Sequence, residues 1–151
     1  VENEMPWAER DVPKTMYEFI DRVAVRHGAR PGVSFQITSG QTDKAETLSW
    51  QEFRDKSVQA ANLFRRLGVG ENDVVAYLLP ICNEAALTLV GGSIAGIANP
   101  INPLLEPDQI SAILRETNAK VLVTLRGFPK TDLPQLAADA VAQARDRSMP
   151  N

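Results

Sequence analysis

The chain has a single cysteine, Cys82, and a single histidine, His27, among its 151 residues. One cysteine cannot form an internal disulfide, and with one histidine beside it no Cys/His zinc constellation can be assembled. Neither sign of charge dominates: 16 Lys and Arg stand against 19 Asp and Glu, for a net charge of -3, and Arg65-Arg66 is only a pair. Nucleic-acid binding rests on Lys and Arg neutralising phosphates, so no nucleic-acid partner is expected. A long apolar run is also missing. The longest, Ala85 to Ile101, is broken by Thr88, Ser93, three glycines, Asn99 and Pro100. A bilayer span needs about 20 mostly apolar residues, so no transmembrane segment is expected and the run reads as a buried helix leading into a strand. Val1 to Lys14 has no basic stretch followed by an apolar one, as a signal peptide would. With the lack of disulfides, this points to a reducing, cytoplasmic setting.

What is present is an ordinary globular composition, 44% hydrophobic and 23% charged, with 10 prolines. Domains of this size bury roughly two-thirds of the surface that their unfolded chains expose, so a core can form without disulfide or metal. Thr15-Met-Tyr-Glu18 has the form of a capping box. It opens a helix whose apolar face is Met16, Phe19, Ile20 and Val23, and Gly28 is placed to end it. Val33 to Ile37 alternates as a half-buried strand does, Thr38 to Ala45 suits a hairpin loop, and Glu46 to Trp50 suits the returning strand. A second capping box, Ser49 to Glu52, opens a helix with Trp50, Phe53, Ser57, Ala60, Phe64 and Leu67 on one face, ended by Gly68 and Gly70. Val74 to Leu79 is a continuous apolar run of the kind found in central parallel strands.

Pro80 and Asn83 open a helix through about Ala95 that is apolar almost all round and is expected to be deeply buried. Ile97 to Ile101 is a short strand, and Pro107 suits the first position of a helix with Ile110, Ile113, Leu114 and Thr117 on its face. Lys120 to Thr124 is another buried strand, and Leu133 to Ala144 an amphipathic helix. This order implies βαβ units with right-handed crossovers, hence an α/β fold with a helix-flanked, mostly parallel sheet and an N-terminal hairpin.

The residues that could carry chemistry are few. There is no Gly-x-x-x-x-Gly-Lys-Ser/Thr sequence. Gly91-Gly-Ser-Ile-Ala-Gly96 falls late in a helix, whereas a phosphate loop follows a strand and precedes one. Close helix packing, or a helix end, explains those glycines better. His27, at a helix C-terminus, suits a capping cation. Cys82 precedes a helix N-terminus, where a thiol pKa can fall, although a buried and inert cysteine is the commoner outcome. Carboxylate pairs such as Glu2/Glu4 and Asp43/Glu46 read as solvated surface charge. No catalytic or metal-ligating residue is singled out.

Several stretches, taken in order, resemble the adenylate-forming enzymes. Leu48-Ser-Trp-Gln-Glu-Phe53 is similar to their first block, of the Leu-Thr-Tyr-x-Glu-Leu type. Ala60-Ala-Asn-Leu-Phe-Arg-Arg-Leu-Gly-Val-Gly70 resembles their helix and Leu-Gly-Val turn. Asp73-Val-Val-Ala-Tyr-Leu-Leu-Pro-Ile-Cys-Asn-Glu84 resembles the strand and Leu-Pro-Asn-type turn that follow. Ala95-Gly-Ile-Ala-Asn-Pro-Ile-Asn-Pro103 is similar to their block Ala-Gly-x-x-x-x-Pro-x-Asn-Pro. Leu105 to Ile110 and Asn118 to Val123 resemble a Pro-Glu-Glu-Leu helix start and an Ala-Lys-x-Leu strand. The blocks are weak singly; their common order and spacing over roughly residues 15 to 125 gives the resemblance its specificity.

The resemblance implies the N-terminal part of an acid–CoA ligase, a fatty-acyl or medium-chain acyl-CoA synthetase. Such an enzyme activates a carboxylic acid with Mg-ATP to an acyl-adenylate and passes the acyl group to CoA, or in some relatives to a carrier-protein thiol. The family's phosphate loop, its adenine- and metal-binding blocks and its catalytic lysine lie beyond the matched region. ATP, Mg and CoA are therefore expected for a parent enzyme, and no cofactor for this chain alone, which is expected to be inactive. Residues 1–14 would be an extension, 15–147 a partial N-terminal α/β subdomain, and 148–151 a truncated end. Asn102, Pro103 and Leu104 form the loop expected nearest the active site, with a plain proline-shaped loop as the competing role. Some relatives carry at the Leu104 position an arginine that contacts a CoA phosphate, a contact leucine cannot make, so either those phosphates are bound elsewhere in the parent or the acceptor differs. A partial α/β layer would also expose apolar surface and associate as a homodimer through it. The competing readings are a non-catalytic binding or interaction module that kept the fold, and a Rossmann-type nucleotide binder, which lacks its glycine fingerprint.

Overall fold

Val74 to Leu78, a continuous apolar run, becomes the middle strand of its sheet. The computed structural model describes residues 5–6, 9–36, 40, 44–127 and 132–146. Ile37, most of the expected hairpin loop and the expected truncated end lie outside the described residues. The elements are α1 (Met16–His27), β1 (Pro31–Phe35), β2 (Glu46–Ser49), α2 (Trp50–Arg66), β3 (Val74–Leu78), α3 (Asn83–Ala95), β4 (Ile97–Ile101), α4 (Pro107–Glu116), β5 (Val121–Thr124) and α5 (Leu133–Arg145). None of the described helices is long and apolar enough to cross a membrane.

β1 and β2 pair as an antiparallel hairpin, with Val33 opposite Leu48. β4, β3 and β5 form a parallel sheet in that order. Alternate residues of β3 point to opposite faces of the sheet. Ala76 and Leu78 meet Ile110 and Leu114 of α4 and Leu133, Ala137 and Ala140 of α5. On the other face, Val75 meets Ala61 and Phe64 of α2 and Ala95 of α3. A third cluster, Ile20, Phe53 and Val90, joins α1, α2 and α3 beneath the hairpin residues Val33 and Leu48. The α/β architecture with a parallel sheet and a separate N-terminal hairpin is therefore as the sequence implies.

Caps and turns set the element boundaries. Ser49 Oγ accepts the Glu52 N–H at 3.2 Å, and Glu52 Oε2 accepts the Ser49 N–H at 2.8 Å, a complete capping box at the start of α2. At α1 the reciprocity shifts by one residue. Thr15 Oγ1 accepts the Glu18 N–H, but Glu18 accepts the N–H of Lys14, because its carboxylate is shared with the Arg22 guanidinium one turn on. α2 ends as a Schellman turn: the Val69 N–H reaches the Phe64 carbonyl at 3.0 Å, with Gly68 at φ 87°, where a side chain would be strained.

Two faces depart from their sequence patterns. In α1 only Ile20 and Ala24 are buried, while Met16 and Phe19 are exposed, because α2 covers a narrower stripe than the apolar spacing marks. α3 is buried at Thr88, Val90, Gly91, Gly92 and Ala95, but Leu89 on its outer side is 41% exposed.

Asp73 ties the amino ends of β3 and β5 together. Its Oδ2 accepts the Gly70 N–H at 2.7 Å and Lys120 Nζ at 2.9 Å, and the Lys120 bond, followed by that from Gly70, holds its carboxyl below the usual aspartate range. A carboxyl depressed in the folded state contributes stability above its unfolded value of about 4 and loses it as the pH falls through the lower folded value. Asp73→Asn is therefore expected to be less stable than the wild type at neutral pH, with the gap closing in acid. Urea midpoints measured from neutral pH down to strong acid check this, and a gap independent of pH would refute it.

Candidate functional site at the carboxyl edge of the sheet

In open parallel sheets ligands bind beyond the carboxyl ends of the strands. Leu78, Ile101 and Thr124 lie side by side in the register, so segments 79–82, 102–106 and 125–127 leave the sheet at one edge.

The first segment leads into α3. Ile81 is 89% exposed, whereas Cys82, at the cap position of α3, is buried and makes no side-chain cap. Burial is the main influence on its thiol and pushes it up, which keeps it protonated at neutral pH and leaves no basis for a nucleophile. Asn83 is 5% exposed; its Nδ2 donates to the Glu46 carbonyl at 3.1 Å and so fastens α3 to the hairpin. Its Oδ1 is buried without a hydrogen-bond partner among the described residues.

The second segment holds Asn102, Pro103 and Leu104. Asn102 Oδ1 accepts the Leu104 N–H at 3.0 Å, and its carbonyl accepts the Leu105 N–H at 3.2 Å, an Asx-type turn made by the asparagine itself. The turn directs the Leu104 side chain outward, 86% exposed. Pro107 then starts α4, with Gln109 Oε1 accepting the Glu106 N–H at 3.0 Å. The third segment follows Thr124, whose Oγ1 is buried and has no partner among the described residues, and continues through the half-buried Leu125 to the exposed Arg126.

The edge thus combines two orphaned polar atoms with two protruding aliphatic side chains. Orphaned buried polar atoms are costly, so such groups call for a partner. Among the described residues, no three His, Cys, Asp or Glu side chains gather to hold a metal ion. The other sequence candidates lie elsewhere. His27 closes α1, and Gly91 sits in the α2–α3 contact, where a methyl group would come within 2.8 Å of Ala60 Cβ. The orphaned Asn83 and Thr124 were not singled out from the sequence. The one available signal was a hydroxyl closing an otherwise apolar strand. Among the described residues, crevices also lie away from this edge. One, of about 560 Å³, runs along α1 by Asp11, Phe19, Arg22 and His27; another, of about 390 Å³, lies between the ends of α4 and α5 and the start of β5.

The family described as AMP-binding enzyme matches residues 18–150. Among curated proteins, the chain is similar to a marinolic acid–CoA ligase of Pseudoalteromonas sp. (strain SANK 73390), 33% identical over 137 residues, covering 91% of this chain and 20% of the relative. It is also similar to 4-coumarate–CoA ligase 3 of Oryza sativa subsp. japonica, at 32% identity over 81% of this chain and 21% of that one. The chain therefore spans about a fifth of the length of these relatives. Of solved structures, the anthranilate CoA ligase AuaEII in complex with anthranoyl-AMP superposes with a TM-score of 0.73 over 93% of this chain and 25% of that one, at 20% identity. A fatty acyl CoA synthetase of Mycobacterium tuberculosis superposes with a TM-score of 0.67 over 91% and 24%, also at 20% identity. At that identity the superpositions speak for the fold alone.

Proposed function

Because this chain belongs to the AMP-binding enzyme family, we propose that it is the N-terminal portion of an acid–CoA ligase. The observation that carries the reading is the span of the match: a CoA ligase at 33% identity aligns with 91% of this chain but only 20% of its own length. In the proposed reaction a carboxylate oxygen attacks the α-phosphorus of ATP, pyrophosphate leaves, and an acyl-adenylate forms. The sulfur of CoA then attacks the acyl carbonyl and AMP leaves. The residues that bind ATP and magnesium and move charge in these steps would come from the rest of the ligase, since the described residues offer neither a phosphate loop nor a metal cluster.

This chain would act as scaffold. Its sheet presents the carboxyl edge, and Asn102, Pro103 and Leu104 would stand on the active-site side of it. Leu104 carries no charge, so the phosphates of CoA would be held by other residues of the ligase. A fatty or medium-chain acid is the proposed substrate, and fatty-acid metabolism in the cytoplasm the proposed setting. The isolated chain is expected to be inactive.

Carboxylate-dependent exchange of labelled pyrophosphate into ATP tests the reading. The longest native polypeptide containing this sequence is expected to catalyse exchange, fastest with medium- or long-chain fatty acids, while the 151-residue chain gives background. A native mass near 16.5 kDa, or a longer protein inert towards a broad panel of carboxylates, would overturn it.

A further inference from the structure

We propose that residues 9–14 form a strap closed on α1 by a latch at Arg22, and that this strap opens as a local unit while the rest of the domain stays folded. The inference stands on the N-terminal segment alone and does not depend on the functional reading.

The latch is a set of charge-assisted bonds across one turn of helix. Arg22 Nη1 donates to Asp11 Oδ1 at 2.9 Å, and Arg22 Nη2 donates to Glu18 Oε1. The other oxygen of Glu18 accepts the N–H of Lys14 at 2.8 Å. One guanidinium thus joins a carboxylate of the strap to a carboxylate of the helix, and the helix carboxylate in turn holds the strap backbone. Arginine suits this task because its planar donors form a rigid fork, whereas lysine offers a single point charge on a flexible stem. The groups respond accordingly. The Lys14 N–H and then the Arg22 bond hold the Glu18 carboxyl below the usual glutamate range, and the bond to Asp11, followed by that to Glu18, raises the Arg22 guanidinium.

The strap has few other fastenings. None of its residues belongs to the three core clusters, whose first member along the chain is Ile20. Val12 is exposed and Pro13 only half-buried. The backbone bonds from Glu9 to the Pro6 carbonyl and from Val12 to the Arg10 carbonyl turn the segment on itself. Magnitudes then decide that closure is marginal. The Arg22 and Asp11 side chains are 41% and 89% exposed. An ion pair in such a place favours its closed form by about fivefold or less. Segments held so weakly open far more often than the domain unfolds.

Opening changes the surface of α1. Asp11 and Pro13 line the crevice of about 560 Å³ together with Phe19, Val23 and Arg26 of the helix. A strap that swings away removes its part of that wall and uncovers the Phe19 and Val23 side. The latch therefore ties the exposure of this helix face to ionic strength, because the screening length falls to about 3 Å in 1 M salt.

Amide exchange at Lys14, whose N–H is bonded within the latch, tests this on the 151-residue chain. Arg22→Gln is expected to speed that exchange by on the order of tenfold. Sodium chloride at 1 M should speed it by about threefold in the parent and leave the Arg22→Gln rate unchanged. Arg22→Lys, which keeps the charge and loses the fork, should fall between the two. The Ala24 amide in the buried part of α1 and the urea midpoint should stay as in the parent in every variant. Lys14 exchange that neither Arg22→Gln nor salt alters would show that Arg22 does not hold the strap, and would overturn the inference. A urea midpoint that falls in step with faster Lys14 exchange would make the strap part of the cooperative fold, and would overturn it as well.

Discussion

Gly91→Ala is expected to cost the chain about 2 kcal/mol of folding stability, although alanine is intrinsically the better helix former by about 1 kcal/mol. The reason is the α2–α3 contact. A methyl group at Gly91 would lie 2.8 Å from Ala60 Cβ, 2.9 Å from the Ser57 carbonyl oxygen and 3.2 Å from the Ala61 nitrogen. Two of these neighbours are backbone atoms and the third is a Cβ, so none can rotate away. Relief would require α2 and α3 to separate, opening the cluster that holds Ala61, Phe64 and Ala95. Gly92 faces a milder version, with Ala98 Cβ at 3.2 Å, and Gly127 has nothing within 4 Å. Urea unfolding should therefore rank the alanine variants in the order Gly91, Gly92, Gly127 by loss of stability, with Gly127→Ala within about 0.5 kcal/mol of the wild type. A Gly91→Ala protein as stable as its parent would show that the small residue does not set the helix separation.

The same glycines show what could be read from the chain. Their place late in an apolar helix was enough to reject a phosphate loop and expect close packing, but the neighbours of Gly91 come from α2, some 30 residues earlier, and those of Gly92 from β3 and β4. Local signals resolved well. The Ser49–Glu52 box, the Pro107 start of α4 and the apolar runs of β3 and β5 each stand where spacing places them, because caps, turns and strand periodicity act over a few residues. Readings that depend on what a distant element covers resolved less well. The apolar spacing of α1 marks Phe19, yet Phe19 is 48% exposed because α2 covers the Ile20 and Ala24 side.

The candidate edge divides in the same way. Asn102 to Leu104 could be picked out because they close the block that resembles the adenylate-forming enzymes, and Asn102 makes the turn there with its own side chain. Asn83 and Thr124 could not, since an orphaned atom is defined by the absence of a partner in three dimensions. The strand order β4-β3-β5 is likewise invisible in any one segment. It follows from which face each crossover helix takes.

Leu78→Ala is expected to remove about 2–5 kcal/mol, the usual cost of deleting a buried leucine and leaving a cavity. Leu78 is 0% exposed, and it packs with Ile101 of β4, Ile110 and Leu114 of α4, and Leu133, Ala137 and Ala140 of α5. Native domains have only about 5–15 kcal/mol in all, so the loss is a large fraction of the total and should appear as a lower urea midpoint. Leu104→Ala supplies the contrast. Its side chain sits at the same carboxyl edge but is 86% exposed, so its removal should change stability by less than about 0.5 kcal/mol. In the proposed full-length ligase the expectation reverses for activity: Leu104→Ala is expected to alter the KM for the acid or for CoA while leaving the urea midpoint in place. If Leu104→Ala destabilised the short chain as much as Leu78→Ala, the loop would belong to the core. If it changed neither stability nor KM, Asn102 to Leu104 would be a turn and nothing more.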